Sequence, residues 1–261
     1  MNGRQPGDDG IGNCTGPGDS KPEPQSHDNG HGNRLCARHR GEARRMKLIV
    51  LADLHYCAEA WRDDRYWSVA NVLLERAVRR INHTMQTDLV LVLGDVLADG
   101  RAADASDLLF EVKSILDRLF CPYLAIPGNH DDAEVFAKVF GPLPDFYDFA
   151  GVRFVPFIDL EEPNWNARRT ERDLARLQSA RNGHDGPLVC LQHTSLFPPH
   201  SCECPFNFVN AEEVIDQMRR LRVSLSISGH FHQGVTRIDS GDMVFCICPA
   251  LCEMPFEFLE M

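Results

Sequence analysis

Five short stretches of this chain carry residue types that do chemistry, each in a tight spacing. "ADLH" offers Asp53 and His55, "GDVLADG" offers Asp95 and Asp99, and "PGNHDD" offers Asn129, His130 and Asp131. "QHTS" adds His193, and "GHFH" adds His230 and His232. Residues at i and i+2 of an extended segment point the same way, roughly 6–7 Å apart at Cβ. His230 and His232 therefore reach toward one point, or toward two points close together. Each stretch also has an ordinary explanation when taken singly. Asp-x-His reads as a turn, Gly-Asp as a strand terminus, and Gly-Asn-His-Asp as a tight loop. His193 reads as a satisfied core histidine, and Gly-His-x-His as a polar turn with its ring nitrogens bonded to backbone or water.

The elements before these stretches change that balance. Lys47–Ala52, Asp88–Leu93, Pro122–Ile126, Leu188–Leu191 and Ser224–Ser228 read as short buried strands, apolar, β-branched and bounded by turn residues. Ligand sites in open α/β sheets lie beyond the carboxyl ends of the strands. Five strand ends thus deliver Asp, His and Asn to one edge, a register that chance does not explain. Helical patterns lie between the strands. Val69, Val72, Leu73, Ala77 and Ile81 make one apolar stripe, and Leu108, Val112, Ile115, Leu116 and Leu119 make another. Asn210 followed by Glu213 predicts a capped start for a helix through Leu221. Three strand-like runs follow His232: Gly234–Asp239, Met243–Cys248 and Phe256–Glu260. The pattern is α/β with a β-rich end, as expected for sheets between helical layers.

Composition bounds the rest. The 261 residues are 43% hydrophobic and 25% charged, which fits a soluble globular chain. Its apolar runs, such as Leu89 to Leu93, are far too short to span a bilayer. A net charge of −11 argues against a nucleic-acid partner or an anionic membrane surface. Residues 1–45 hold nine of the 19 glycines, with no aromatic residue and no valine, so a disordered tail is expected there. The folded domain is expected over residues 46–261, with Met46 either the natural start or the end of a dispensable tail. No basic start with an apolar core is visible at Met1, so a cytoplasmic, reducing location is expected. The ten cysteines show no zinc-ribbon spacing. Cys202, Cys204, Cys246, Cys248 and Cys252 read as packing thiols, with a loop-clipping disulfide or a further ion as alternatives.

The order Asp-x-His, Gly-Asp, Gly-Asn-His, His, Gly-His-x-His resembles the calcineurin-like metallophosphoesterase superfamily, over about Lys47 to Phe258. Its "GNHD" form looks most like the cyclic-nucleotide and glycerophosphodiester phosphodiesterase branch. The resemblance implies a four-layer αββα sandwich with a dinuclear metal site at the carboxyl ends of the strands. Two divalent ions would share Asp95, with Asp53, His55 and His232 completing one site and Asn129, His193 and His230 the other. It further implies phosphoester hydrolysis by attack of a metal-bridging hydroxide, on a small phosphodiester. A phosphomonoesterase and a non-catalytic protein-binding scaffold are the alternatives, and a nuclease is disfavoured by the charge. Imidazole, carboxylate and amide donors without a thiolate suit Mn, Fe, Co or Zn. Two carboxylates leave about two positive charges on such a pair of ions, which suits an anionic ester. His130 would be the non-ligand histidine that stabilises the transition state or protonates the leaving oxygen. Many relatives orient it with a carboxylate three residues after the bridging Asp. That position is Ala98 here, so Asp99 is the candidate substitute, against an ordinary turn or capping carboxylate. The Pro-rich loop "SLFPPHSCECPF" is expected to border the mouth, and His200 is read as a surface residue. The sequence leaves the oligomeric state open.

Overall fold

Three hydrophobic strands with no polar face form only where both faces are covered. β1 (Leu48–Leu51), β2 (Leu89–Leu93) and β3 (Tyr123–Ile126) pair in parallel in that order, and β1 and β2 are buried along their whole length. The computed structural model describes residues 45–58, 66–254 and 256–261. The tail expected over residues 1–45 lies outside them except for Arg45.

One face of this sheet packs on α1 (Ala70–Thr84), α2 (Ala105–Leu116) and α3 (Ala133–Phe140). Ile49, Leu51, Val90 and Val92 meet Leu74, Ile81, Leu109 and Phe136 there. The alternate residues Leu48, Val50, Leu89, Leu91 and Leu93 point the other way, as the two-residue period of a strand requires. They pack against Phe154, Val189, Leu191, Ile227 and Cys246 of a second sheet. That sheet runs β10 (Val235–Ser240), β11 (Met243–Ile247), β9 (Val223–Ser228), β8 (Leu188–Leu191), β5 (Val152–Pro156), β4 (Tyr147–Phe149). Its outer face is covered by α4 (Glu171–Arg181) and α5 (Ala211–Arg220), through Leu177, Ala180, Val214, Ile215 and Met218. The layers are helix, sheet, sheet, helix, the expected αββα sandwich. A short hairpin, β6 (Leu160–Glu162) and β7 (Asn166–Arg168), stands apart, and β12 (Leu259–Glu260) closes the first sheet antiparallel to β1.

Several local expectations change. The α1 stripe is rotated: Ala70, Leu74, Ala77, Val78 and Ile81 are buried, while Val69 and Val72 are 40% and 48% exposed. Asn210 precedes α5 but makes no side-chain cap on it. Its amide instead pairs with the backbone of Arg169, accepting from the N–H and donating to the carbonyl at 3.1 and 2.9 Å. Asn210 therefore ties the β6–β7 hairpin region to α5. Cys190, Cys204, Cys246 and Cys248 are buried free thiols in the core, and burial pushes Cys190 up to about 12. Among the described residues, no helix is long and apolar enough to cross a membrane.

Candidate metal centre

The β1, β2, β3, β8 and β9 ends all face one edge, and each leaves its last residues in a turn that throws a polar side chain across it. Asp53, His55, Asp95 and His230 have φ of 54°, 47°, 48° and 71°. Non-glycine residues avoid this region, and such strain collects at functional sites. The turns are locked together by backbone. Asp53 N donates to Gly94 O, His55 N to Asp95 O, and Gly229 N to His193 O, at 3.1, 2.8 and 2.9 Å. Gly128 and Gly229 leave the room: a Cβ on Gly128 would overlap the Asp95 carboxylate, and one on Gly229 would lie 2.9 Å from Asp53 Oδ2.

Each of the two carboxylates is held by one oxygen and presents the other. Asp53 Oδ2 accepts from the N–H of His230 at 3.0 Å, and Asp95 Oδ1 from that of His130 at 2.9 Å. Asp95 Oδ2 then lies 3.5 Å from His55 Nε2 and 3.2 Å from His193 Nε2. Asp53 Oδ1 lies 3.9 Å from His55 Nε2 and 3.5 Å from His232 Nε2. Two donor groups result, Asp53 with His55 and His232, and Asp95 with His193 and His230, each with its ligand atoms within 4.8 Å of one another. Asp95 also groups with His55, so it stands between the two.

Three of the four histidines have their far nitrogen engaged. His193 Nδ1 donates to Leu93 O at 2.7 Å, and His230 Nε2 to Trp165 O at 3.0 Å. His232 Nδ1 meets the Glu253 carboxylate at 2.6 Å. A carbonyl cannot donate, so these bonds fix the tautomers and turn a lone pair inward, the arrangement that metal-ligating histidines need. Donor atoms are also left without partners. Asp53 Oδ1 and Asn129 Oδ1 are buried and accept no hydrogen bond among the described residues. The unbonded Asp53 oxygen stands among the imidazole nitrogens of the cluster and fits a bound cation, and the N/O donor set fits a divalent transition metal. A cation would have to displace a proton from two of these rings. Burial opposes charge on His193 and His232, yet the carboxylates beside them outweigh it and raise the two to about 10 and about 9. His55 is pushed down to about 4, chiefly by burial. Burial opposes ionisation of Asp95 too, but His193, His55 and His130 hold it below the usual carboxylate range. The carboxylates draw positive charge into the centre.

His130 lies beside this cluster, and its Nδ1 donates to the carbonyl oxygen of Ala98 at 2.8 Å. Asp99 does not fill the orienting place read for it. Its carboxylate is exposed and accepts from the N–H of Arg101 at 2.9 Å, a turn-capping role. The backbone oxygen at position 98 holds the ring instead. Asp131 accepts from the N–H groups of Val96, Leu97 and Gly128 at 3.1, 2.9 and 2.9 Å, clamping the loop after β2 to the loop after β3. Burial is the main reason its pKa rises to about 6, with Asp95 adding to it. The centre opens into a cleft of about 490 Å³ whose rim includes Trp165, Pro205, Phe206 and Glu253. The Pro-rich loop thus reaches the mouth through Pro205 and Phe206, while exposed His200 is not part of that rim. Sequence reading passed over Trp165 and Glu253, which sit in a hairpin and a loop without a recognisable spacing.

Fold and centre together define an αββα protein with adjoining clusters of carboxylate and imidazole donors. Residues 46–234 match the family model for calcineurin-like phosphoesterases, and the chain belongs to that family. Curated relatives include a protein of Synechococcus sp. named a probable cyclic nucleotide phosphodiesterase. It is 26% identical over 230 residues, covering 85% of this chain and 86% of the relative. A Coxiella burnetii protein with the same description is 23% identical, over 79% of this chain and 84% of its own. Among solved structures, a dimetal phosphatase from Danio rerio superposes with a TM-score of 0.66 at 20% identity, covering 82% of this chain and 91% of that one. At that identity the superposition speaks for the fold.

Proposed function

We propose that this chain hydrolyses small phosphodiesters at a two-ion centre, with cyclic nucleotides and glycerophosphodiesters the first candidates. The observation that carries the reading is the pair of carboxylate and imidazole groups meeting at Asp95, with the buried Oδ1 of Asp53 left unbonded beside them. Asp53, His55, Asp95 and His232 would hold one ion, and Asp95, Asn129, His193 and His230 the other. Family membership supports metal-dependent phosphoester hydrolysis, and the relatives' descriptions support the narrower diester class. Bound there, two divalent ions would lower the pKa of a water toward neutrality and offset charge developing on the phosphoryl oxygens.

The chain's own residues supply the remainder. Leu93 O, Trp165 O and Glu253 hold three imidazoles in one tautomer, so the centre is organised before substrate arrives. His130, with Nδ1 committed to Ala98 O, presents Nε2 as its free nitrogen to the cleft. To protonate a leaving oxygen, the ring must carry its second proton on Nε2. That step helps most where the leaving group is a poor one such as an alkoxide. A diester carries one negative charge fewer than a dianionic monoester, so ion charge alone favours monoesters. Diester preference must then arise in the transition state, from leaving-group protonation and from contacts with the second ester arm. The charge argument keeps a phosphomonoesterase as the second reading.

The test is a panel of matched monoesters and diesters, with metal-free protein reconstituted with Mn, Fe, Co or Zn singly. Higher kcat/KM on diesters is expected. A clear monoester advantage would make the chain a phosphomonoesterase, and no turnover with any metal would leave a binding scaffold.

A further inference from the structure

Trp165 is 61% exposed, unusual for the largest apolar side chain, and it stands on the rim of the metal cleft. It occupies the tip of the β6–β7 hairpin, where Asn164 and Trp165 both have φ of 62°. A bulky residue rarely adopts that conformation. The hairpin is nevertheless pinned on its inner side. Asn166 Nδ2 donates to Pro163 O at 3.0 Å, and Asn166 Oδ1 accepts from the N–H of Asn207 at 3.0 Å. Ala167 N donates to Asn207 O and Val209 N to Ala167 O, at 3.2 and 2.8 Å. At the tip itself, the Trp165 carbonyl accepts from His230. The indole is therefore held in place over the centre, its plane within 8° of the His130 ring at 6.2 Å between centroids. Phe206, on the lining of the same cleft, stands edge-on to His230 at 4.9 Å. Two aromatic side chains thus flank the way to the ions, one of them next to the residue placed at the leaving oxygen.

We propose that Trp165, with Phe206 on the lining of the same cleft, is the platform for a planar aromatic arm of the substrate, so that the preferred diesters carry a nucleobase. This rests on the phosphodiesterase reading above. Base–aromatic stacking tolerates any base, because each offers a π-face. Beyond the indole, a second cavity of about 240 Å³ is lined by Asn129, Glu161, Glu162, Asn164, Asn166 and Thr194. Asn164, Thr194 and Glu161 can bond sugar hydroxyls there, whereas a second phosphate would meet Glu161 and also Glu162, whose carboxylate is paired with Arg168 at 2.6 Å. The arrangement fits a nucleotide with one phosphate better than one with a diphosphate chain.

Trp165→Leu and Trp165→Phe test the platform on two substrates, 3′,5′-cyclic AMP and glycerophosphocholine, in the Mn-loaded protein. Trp165→Leu should lower kcat/KM on the cyclic nucleotide by roughly ten- to a hundredfold, the worth of one stacked base. It should leave glycerophosphocholine within about threefold, and Trp165→Phe should restore most of the loss. Calorimetry supplies a readout independent of turnover. AMP and ribose 5-phosphate share a sugar phosphate and differ in the base, so wild type should prefer AMP and Trp165→Leu should not. Equal losses on both substrates, or loss of bound metal, would show that Trp165 acts through its carbonyl on His230 and would overturn the platform. If wild type cleaves neither diester, the diesterase reading falls. The AMP and ribose 5-phosphate comparison then still decides the platform: equal affinities refute it, and a preference for AMP that Trp165→Leu removes upholds it.

Discussion

Glu253→Gln separates the two candidate ion sites, because the Glu253 carboxylate meets the ligand set at His232. Its carboxylate receives His232 Nδ1 at 2.6 Å, with the two side chains 30% and 15% exposed. Gln keeps an acceptor oxygen at nearly the same place and removes only the charge. A hydrogen bond to a charged group contributes about 1.5–3 kcal/mol and a neutral one about 0.5–1.5. The difference of about 1–1.5 kcal/mol corresponds to roughly a five- to twelvefold weaker ion, at the lower edge of the range for partners behind metal-ligating histidines. The loss should fall on the site of Asp53, His55 and His232. The site of Asn129, His193 and His230 keeps its partners Leu93 O and Trp165 O and should hold its affinity. Equilibrium dialysis against graded Mn²⁺, followed by elemental analysis, resolves the two steps. The melting temperature of the metal-free protein should move by no more than about 2 °C, since an exposed-edge charge contributes little to stability. A loss shared equally by both ions, or no loss at all, would refute the division of the histidines between two ions.

Asp95→Asn should lower occupancy at both sites, and a mutant that retains two tightly bound ions by elemental analysis would remove Asp95 from its shared position. His130→Ala should cut turnover about a hundredfold or more with metal content intact, and less for nitrophenyl esters, whose leaving groups need little protonation. Asp148→Asn removes a two-pronged bond in which Arg153 donates from Nε and Nη2 at 2.7 Å each, across the β4–β5 pair. Asp148 is half exposed, so the cost is about 0.5–1 kcal/mol, or about 1–4 °C in melting temperature. Arg153 holds the Asp148 pKa below its ordinary value. The stabilisation is therefore complete above the unfolded carboxylate pKa of about 3.9 and disappears as pH falls through the lower folded value. Thermal melts of mutant and wild type should converge in acid, and a gap that persists there would mean the contact is not ionic.

The parallel strands were legible because burial on both faces forces unbroken apolar runs, as in Leu89–Leu93. β4 and β5 were not. Their connection is a two-residue turn with Ala150 and Gly151 at φ of 50° and 83°, a geometry that sequence announces through Asn-Gly or Asp-Gly. Ala150 hides it. α4 was missed for another reason: only Leu177 and Ala180 are buried, too few to mark a helical period, although Thr170 and Asp173 form a capping box. Along α1 the period was right and the phase was off, because Val69 and Val72 sit beside the stripe and share its chemistry but not its burial.

The candidate ligands could be read because each is a polar residue tied by sequence to a strand end, and the strand supplies the direction. What completes the centre lacks that tie. Glu253 reaches His232 from a loop after β11, and nothing in the spacing of residues 249–254 marks its carboxylate as a partner for a histidine. The partner of His130 is a backbone oxygen, which no side-chain pattern can encode, so the search for a carboxylate settled on Asp99. Trp165 is the sharpest case. Its position depends on consecutive left-handed residues in β6–β7 and on Asn207 and Val209 holding the hairpin from another loop. A site of this kind is written twice in the chain: once in the strand ends, where the ions' donors are fixed by register, and once in the loops, where orientation and substrate choice depend on contacts between segments distant in sequence. The first layer is common to a family that shares the fold. Substrate choice has to be sought in the second, and in this chain that layer places an indole beside His130.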